Sequence, residues 1–151
     1  MTAKEYLDRL WQLNKEIDAD LAKVTDLKRQ TSKITAAYSS MPGSPNRNTD
    51  KVEKLVARIV DLQHQADAKI DRLVDLKCEV VEMLSEIDEP ELRAVLELRY
   101  LTFKEWSDVA LAMQCGERHV YKLHRKAMES FENILKNSLT VQSVGSCMTP
   151  S

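Results

Sequence analysis

Apolar residues recur every seven positions along two long stretches of the chain. The first stretch runs from Thr2 to about Tyr38, and its two apolar columns persist for three repeats before weakening. The columns are Leu7, Asn14, Leu21 and Lys28, and Leu10, Ile17, Val24 and Thr31. Thr2 and Glu5 have the spacing of a capping box, in which each side chain bonds the backbone N–H of the other residue. The pattern predicts a helix over about residues 2–38.

The second stretch, over about residues 49–87, keeps the seven-residue period throughout. Its columns are Val52, Ile59, Ala66, Leu73, Val80 and Ile87, and Leu55, Leu62, Leu76 and Met83 with Lys69 as an interruption. A third column of Val56, Ile70 and Leu84 makes the apolar stripe wider than one two-stranded seam requires. We predict a coiled-coil-like antiparallel helical hairpin over residues 1–88, closed by a polar loop at 39–48. The surplus apolar surface should meet either the C-terminal domain or a second subunit.

The heptads stop at Asp88, and shorter helices follow. Asp88, Pro90 and Glu91 predict a capped helix start, and Thr102 with Glu105 suggests a second capping box. The residues expected to face inward are Trp106, Val109, Ala110 and Met113 of one helix and Val120, Leu123, Ala127 and Phe131 of the next. Two short helices joined by about three residues are typical of a helix-turn-helix. The sequence therefore predicts an all-α protein with a helix-turn-helix domain at 89–137 and a disordered tail at 138–151.

Positive charge is concentrated on the last predicted helix. The chain has 22 basic and 24 acidic side chains, a net charge of -2, yet residues 117–126 contain four cations and one anion. Such a helix can hold its domain through an apolar side and reach the major groove of DNA with its cationic side. The predicted DNA-binding residues are Glu117, Arg118, His119, Tyr121, Lys122, Arg125 and Lys126. One helix gives a small interface, so we expect a homodimer, a higher oligomer or a partner already on the DNA.

Other chemistry has little support in the sequence. Cys78, Cys115 and Cys147 match no zinc or redox spacing, and their odd number without a secretory signal favours reduced thiols in a cytoplasm. His119 and His124 are five residues apart and point to different helix faces, and His124 suits either a partly buried ring or a phosphate contact. No nucleophile–base arrangement or phosphate-binding glycine loop is present. We therefore predict no enzyme, no cofactor, no metal and no membrane segment.

Three segments of the C-terminal third carry a resemblance. Glu91–Tyr100, Trp106–Ala110 and Glu117–Met128 resemble the fourth region of bacterial sigma factors, where a leucine-arginine-tyrosine helix precedes a helix-turn-helix. In layout the whole chain is similar to small phage and prophage regulators of the ArpU and RinA types, which act on late genes. The resemblance covers about residues 90–132. It implies a transcriptional regulator that binds duplex DNA in the cytoplasm of a bacterial host cell, with RNA polymerase as a candidate partner.

The sequence departs from the sigma-like pattern at three positions. Gly116 replaces the usual serine or threonine cap, Gln114 replaces a turn glycine, and Glu105 replaces a capping threonine, so that Thr102 would cap a longer helix. Two alternative functions stay open at this stage. The chain could be a polymerase-binding adaptor with little DNA affinity of its own, or a structural helical oligomer assembled through the hairpin.

Overall fold

The described part of the chain is mostly helical. A computed structural model describes residues 1–39 and 46–147, and describes the side chains of residues 1–37 and 49–140. The helices are α1 (Ala3–Ser39), α2 (Asn46–Leu84), α3 (Pro90–Leu96), α4 (Trp106–Met113) and α5 (Glu117–Cys147), with a π-helical turn at Glu97–Leu101. No strand occurs within these ranges, which confirms the all-α fold class. None of the helices in the described segments is long and apolar enough to cross a bilayer.

The first two helices follow the predicted pattern with shifted ends. Thr2 N donates to Glu5 Oε2 at 2.9 Å and Glu5 N donates to Thr2 Oγ1 at 3.2 Å, which confirms the capping box. Helix α2 begins at Asn46, earlier than predicted, and ends at Leu84 rather than at residue 87. Ser39 and residues 46–48 of the predicted loop are therefore helical, and residues 40–45 lie outside the described residues.

The chain divides into two compact units. We call them the terminal unit, Met1–Gln12 with Val74–Ser151, and the helix-pair unit, Leu13–Leu73. This division differs from the predicted boundary at residue 88, because the first residues of α1 pack on the C-terminal helices. The ring of Tyr6 lies 6.1 Å from that of Phe131, and Trp11 Nε1 donates to the backbone oxygen of Arg99 at 2.9 Å.

The helix-pair unit combines a narrow apolar seam with a charge pair. Val24, Ile59 and Leu62 form a buried cluster between α1 and α2. Lys69 Nζ lies 2.7 Å from Oδ2 of Asp20, which is only 5% exposed, and this hydrogen bond raises the pKa of the lysine. The interruption of the heptad at Lys69 thus has a structural reason: the lysine supplies the cation that a buried carboxylate needs. Of the third apolar column in this unit, Val56 and Ile70 are exposed.

The terminal unit has a wider core. Helices α3 and α4 each pack against α5. Its largest fully buried side chains, among those described, are Leu7, Leu10, Val80, Leu84, Val95, Leu96, Val109, Val120 and Phe131. Burial of each large apolar side chain stabilises the fold by about 1.5–3 kcal/mol relative to exposure. This core holds the first turns of α5 in a fixed orientation.

Two predicted helix starts are wrong in detail. The residue before α3 is Glu89, which makes no side-chain cap, so Asp88 is not the capping residue. Helix α4 begins at Trp106 after Glu105, and the hydroxyl of Thr102 donates instead to the backbone oxygen of Leu98 at 2.7 Å. Thr102 cannot open a longer helix because Phe103 has a left-handed backbone with φ of 57°.

Helix α5 is longer than predicted. The sequence pattern predicted a disordered tail at 138–151, whereas α5 continues through Cys147. Residues 138–147 contain no proline, and extending an existing helix costs far less than starting one. Residues 148–151 of the predicted tail lie outside the described residues.

Candidate functional site

The connection between α4 and α5 is a tight turn that sets where α5 begins. Gln114 ends α4 in the left-handed conformation, with φ of 56° and ψ of 43°. Cys115 N donates to the backbone oxygen of Ala110 at 3.1 Å, and the backbone oxygen of Gly116 accepts from the N–H groups of His119 and Val120. The left-handed position expected of a glycine is thus occupied by Gln114, whereas Gly116 has no positive φ.

An apolar face anchors α5 to its unit. Val109 and Ala110 of α4 form a buried cluster with Val120, and Trp106 and Met113 are partly buried against it. Leu123, Ala127, Phe131 and Leu135 continue the buried face along α5. The predicted inward stripe of α5 is therefore confirmed. Because these residues recur at helical spacing, the opposite face of α5 must point outward.

The outward face carries the whole predicted DNA-binding set. The exposed residues are Glu117, Arg118, His119, Tyr121, Lys122, Arg125 and Lys126. Among the residues whose side chains are described, Arg118, Lys122, Arg125 and Lys126 take part in no ion pair. We call these exposed residues the basic face. It presents four cations that no internal carboxylate neutralises.

A group of aromatic rings, which we call the aromatic stack, packs against Tyr121 of the basic face; it consists of Trp11, Trp106, Tyr121 and His124 with the guanidinium of Arg99. The ring of Tyr121 lies 5.1 Å from that of Trp106, which also meets the His124 ring edge-on at 4.7 Å. The guanidinium of Arg99 lies 4.4 Å from the ring centres of both Trp106 and Trp11. Cation–π contacts of this kind are worth about 0.5–2 kcal/mol. These ring contacts link α1 and the π-helical turn to the first turns of α5.

The aromatic stack was not predicted from the sequence. Its members are far apart along the chain, so no local spacing reveals it. One signal was available: Arg99 of the leucine-arginine-tyrosine segment falls on the apolar side of its helix, where an unpaired cation needs a partner. The structure supplies that partner as two tryptophan rings. Lys104 O also accepts from the Arg99 guanidinium at 2.9 Å.

His124 belongs to the interior side of α5. Its Nε2 lies 2.9 Å from the hydroxyl oxygen of Tyr100. Burial, reinforced by the nearby Arg99 cation, lowers the pKa of His124 to about 4, and burial raises the pKa of Tyr100 to about 12. The ring is therefore neutral at pH 7. The interpretation as a partly buried ring is confirmed, and a phosphate contact through His124 stays a prediction.

A groove adjoins the basic face on the side of the first helix. It has a volume of about 900 Å³ and is lined by residues that include Lys4, Tyr121, Arg125, Met128 and Glu129. At its edge, Ala3 N donates to Glu132 Oε2 at 2.8 Å. The groove places a further cation, Lys4, beside two members of the basic face. Sequence spacing could not have found Lys4, because it lies more than 110 residues away from them.

The described residues contain no cluster of side chains that could bind a metal ion. Within residues 1–37 and 49–140, no three histidine, cysteine, aspartate or glutamate side chains are placed to share an ion. Cys115 and His119, which are close in sequence, gain no third ligand there.

Comparison with protein-family models gives a match for more than half of the chain. Residues 39–132 match the family described as "Protein of unknown function (DUF1492)". The matched segment includes α2, α3, α4 and the part of α5 that carries the basic face. Neither the curated proteins nor the solved structures contain a match to the chain. Because the match spans more than half of its length, the chain belongs to the DUF1492 family.

Proposed function

We propose that the chain is a transcriptional regulator of phage or prophage type that binds duplex DNA through a sigma-region-four-like helix-turn-helix. In this proposal α4 is the supporting helix, Gln114–Gly116 is the turn, and α5 is the recognition helix. Helices α1 and α2 form the helical hairpin. In support of the hairpin, contacts between them pair rising numbers in α1 with falling numbers in α2, as in Asp20 with Lys69 and Val24 with Ile59.

One observation carries the proposal. The cations of the basic face are exposed and unpaired, on a helix whose other side is fixed in a core by Val120, Leu123 and Ala127. Leaving like charges close together without counter-charges costs folding free energy, so a polyanionic partner that neutralises them is favoured. Duplex DNA supplies regularly spaced phosphates and a major groove wide enough for one helix.

Each residue of the basic face has a role in this proposal. Arg118 and Lys122 lie in the first turns of α5 and would contact base edges or adjoining phosphates, since recognition helices use their N-terminal residues for this purpose. Arg125 and Lys126 would hold the phosphate backbone. Glu117 would accept a hydrogen bond from a cytosine amino group. Tyr121 and His119 would fill the interface between these contacts, with Tyr121 held by Trp106.

The test is a salt titration of duplex binding. We expect Arg118→Ala combined with Lys122→Ala to weaken binding to a promoter fragment. The slope of log affinity against log salt should also fall by about two, because each of the two substitutions removes a cation that would neutralise one phosphate. Binding is measured by fluorescence anisotropy at fixed salt concentrations.

The matched control is Lys136→Ala. Lys136 is exposed on the same helix and lies 18 residues, or about 27 Å, beyond Arg118. The substitution removes a cation from the same side of α5 outside the proposed contact, so the slope should stay nearly unchanged. Unchanged affinity of the double variant for the fragment at fixed moderate salt would overturn the recognition assignment.

Gel shifts with and without RNA polymerase separate the proposal from its nearest alternative. A regulator shifts the duplex alone, whereas an adaptor changes only the polymerase–promoter complex. Light scattering addresses the third possibility, since large salt-resistant oligomers would favour a structural role. Sedimentation also tests the predicted homodimer or higher oligomer.

A further inference from the structure

The helix-pair unit has an uncovered apolar face with a charged edge. Val56, Val60 and Ile70 of α2 are 46%, 43% and 36% exposed, and on a helical wheel Val60 and Ile70 lie about 40° to either side of Val56. Leu21 of α1 is 43% exposed. Leu21 and Ile70 each come one residue after a member of the Asp20–Lys69 ion pair. In the antiparallel pairing proposed above, both therefore lie on the edge of the seam opposite that ion pair.

Acidic residues border this apolar surface. Glu53 lies seven residues before Val60 and Asp67 lies seven residues after it, and seven residues are about two helical turns. Asp71 lies about one turn beyond Asp67. All three are exposed. We call Leu21, Val56, Val60 and Ile70 with these three acids the acidic apolar face.

The charges of α2 are segregated by side within this unit. Among the described side chains of α2 in the helix-pair unit, the cations follow the column of Lys69, on the other edge of the seam: they are Lys51, Lys54, Arg58, Lys69 and Arg72. None of them lies on the side of Val60. On α2, the outer edge of the acidic apolar face therefore carries carboxylates and no cation among the described side chains, and its aliphatic side chains would gain free energy on burial.

We propose that the acidic apolar face docks a basic amphipathic helix of another protein. Such a helix would lay its aliphatic stripe over Val56, Val60 and Ile70, and its flanking lysines or arginines would meet Glu53, Asp67 and Asp71. This is helix-in-groove recognition, with apolar anchors at helical spacing and charge pairs at the rim.

The charge pattern argues against a second copy of this chain as the occupant. A two-fold pairing through this face would bring the acidic edges of two copies together, and like charges across an interface are unfavourable. A basic partner turns the same carboxylates into favourable contacts. The proposal concerns residues of the helix-pair unit alone and does not depend on DNA binding by α5.

The experiment uses the full chain and two synthetic probes. Both are helical peptides with the same leucine and isoleucine stripe, one flanked by lysines and the other by glutamates. We expect the lysine-flanked peptide to bind the wild type at least about tenfold more tightly than the glutamate-flanked peptide, in a salt-dependent manner, as measured by fluorescence anisotropy.

Variants of exposed residues locate the binding. Val60→Lys should weaken binding of the lysine-flanked peptide about tenfold or more, because it places a cation within the apolar stripe. Gln65→Lys is the matched control, since it adds the same charge at an exposed position on the cationic side of α2 and should have little effect. Asp67→Lys combined with Asp71→Lys should transfer the preference to the glutamate-flanked peptide.

Three results would overturn the proposal. The first is equal affinity of the wild type for both peptides. The second is loss of binding in Gln65→Lys equal to that in Val60→Lys. The third is a wild-type dimer in sedimentation that Val60→Lys dissociates, since the face would then be occupied by a second copy of the chain.

Discussion

The two compact units differ in the kind of charge that lies beside their cores. In the helix-pair unit, a seam built on Val24, Ile59 and Leu62 contains a buried carboxylate, Asp20, that is paired with Lys69. In the terminal unit, a wide core fixes α5 while the cations on its outer face are left unpaired. The difference illustrates what core width permits, because a helix anchored on several sides can hold like charges at set positions. Two helices alone bury less apolar surface, and an ion pair helps to define their register.

The largest loss of stability is expected from a truncation in the wide core of the terminal unit. Phe131 is fully buried, and Phe131→Ala should lower the free energy of unfolding by about 3–5 kcal/mol. The matched change in the helix-pair unit is Leu62→Ala, at a side chain that is 4% exposed in a narrow seam. We expect about 2–3 kcal/mol there, because neighbouring side chains and water can partly fill the space. Urea unfolding measures both values, and a larger loss for Leu62→Ala would reverse the comparison.

Removal of Lys69 tests whether the helix-pair unit depends on the ion pair with Asp20. Lys69→Met leaves the Asp20 carboxylate buried without its cation, and should cost about 1–3 kcal/mol in urea unfolding. Adding Asp20→Leu to this variant should restore most of the stability, since two apolar side chains replace the pair without an unpaired charge. If Lys69→Met alone unfolds at the wild-type urea concentration, Asp20 does not depend on its partner.

The contrast between the units also explains how far the sequence could predict the structure. Local signals were sufficient for the long helices, for the Thr2–Glu5 capping box and for the two faces of α5, because each is set by spacing within a few turns. Long-range packing was not predictable in this way. Nothing near Asp20 indicates Lys69 as its partner, and nothing near Arg99 indicates Trp11.

The predicted start of α4 is wrong because a long-range aromatic contact is worth more than a local capping motif. The Thr102–Glu105 spacing fits a capping box, yet Phe103 takes a left-handed backbone and its ring packs at 5.5 Å from that of Trp11. Apolar burial of an aromatic ring is worth more than the roughly 1 kcal/mol of a cap. Tertiary packing therefore decides where α4 begins.

The pH dependence of stability should differ between wild type and a variant at His124. The pKa of His124 falls from its ordinary 6.5 to about 4 in the folded state, so between these values the unfolded chain binds a proton that the folded chain does not. Stability contributed by the neutral ring is present above pH 6.5 and is lost as the pH falls toward 4. His124→Gln keeps a neutral polar group beside Tyr100 and cannot be protonated. We expect its unfolding free energy to fall less than that of wild type between pH 6.5 and 4.5, and parallel pH profiles would contradict a buried neutral ring.

The smallest expected effect concerns the start of α5, which sets the position of the basic face. Gly116 precedes Glu117, has no positive φ, and a Cβ atom built there meets nothing within 4 Å. Gly116→Ser should therefore raise the free energy of unfolding by a few tenths of a kcal/mol, because a serine hydroxyl can accept from an N–H of the first turn. Gly116→Ala is the matched control and should fall below wild type, since alanine is a poor residue at this position. Thermal unfolding should rank serine above glycine above alanine. Equal values for serine and alanine would mean that side-chain capping does not contribute at this turn.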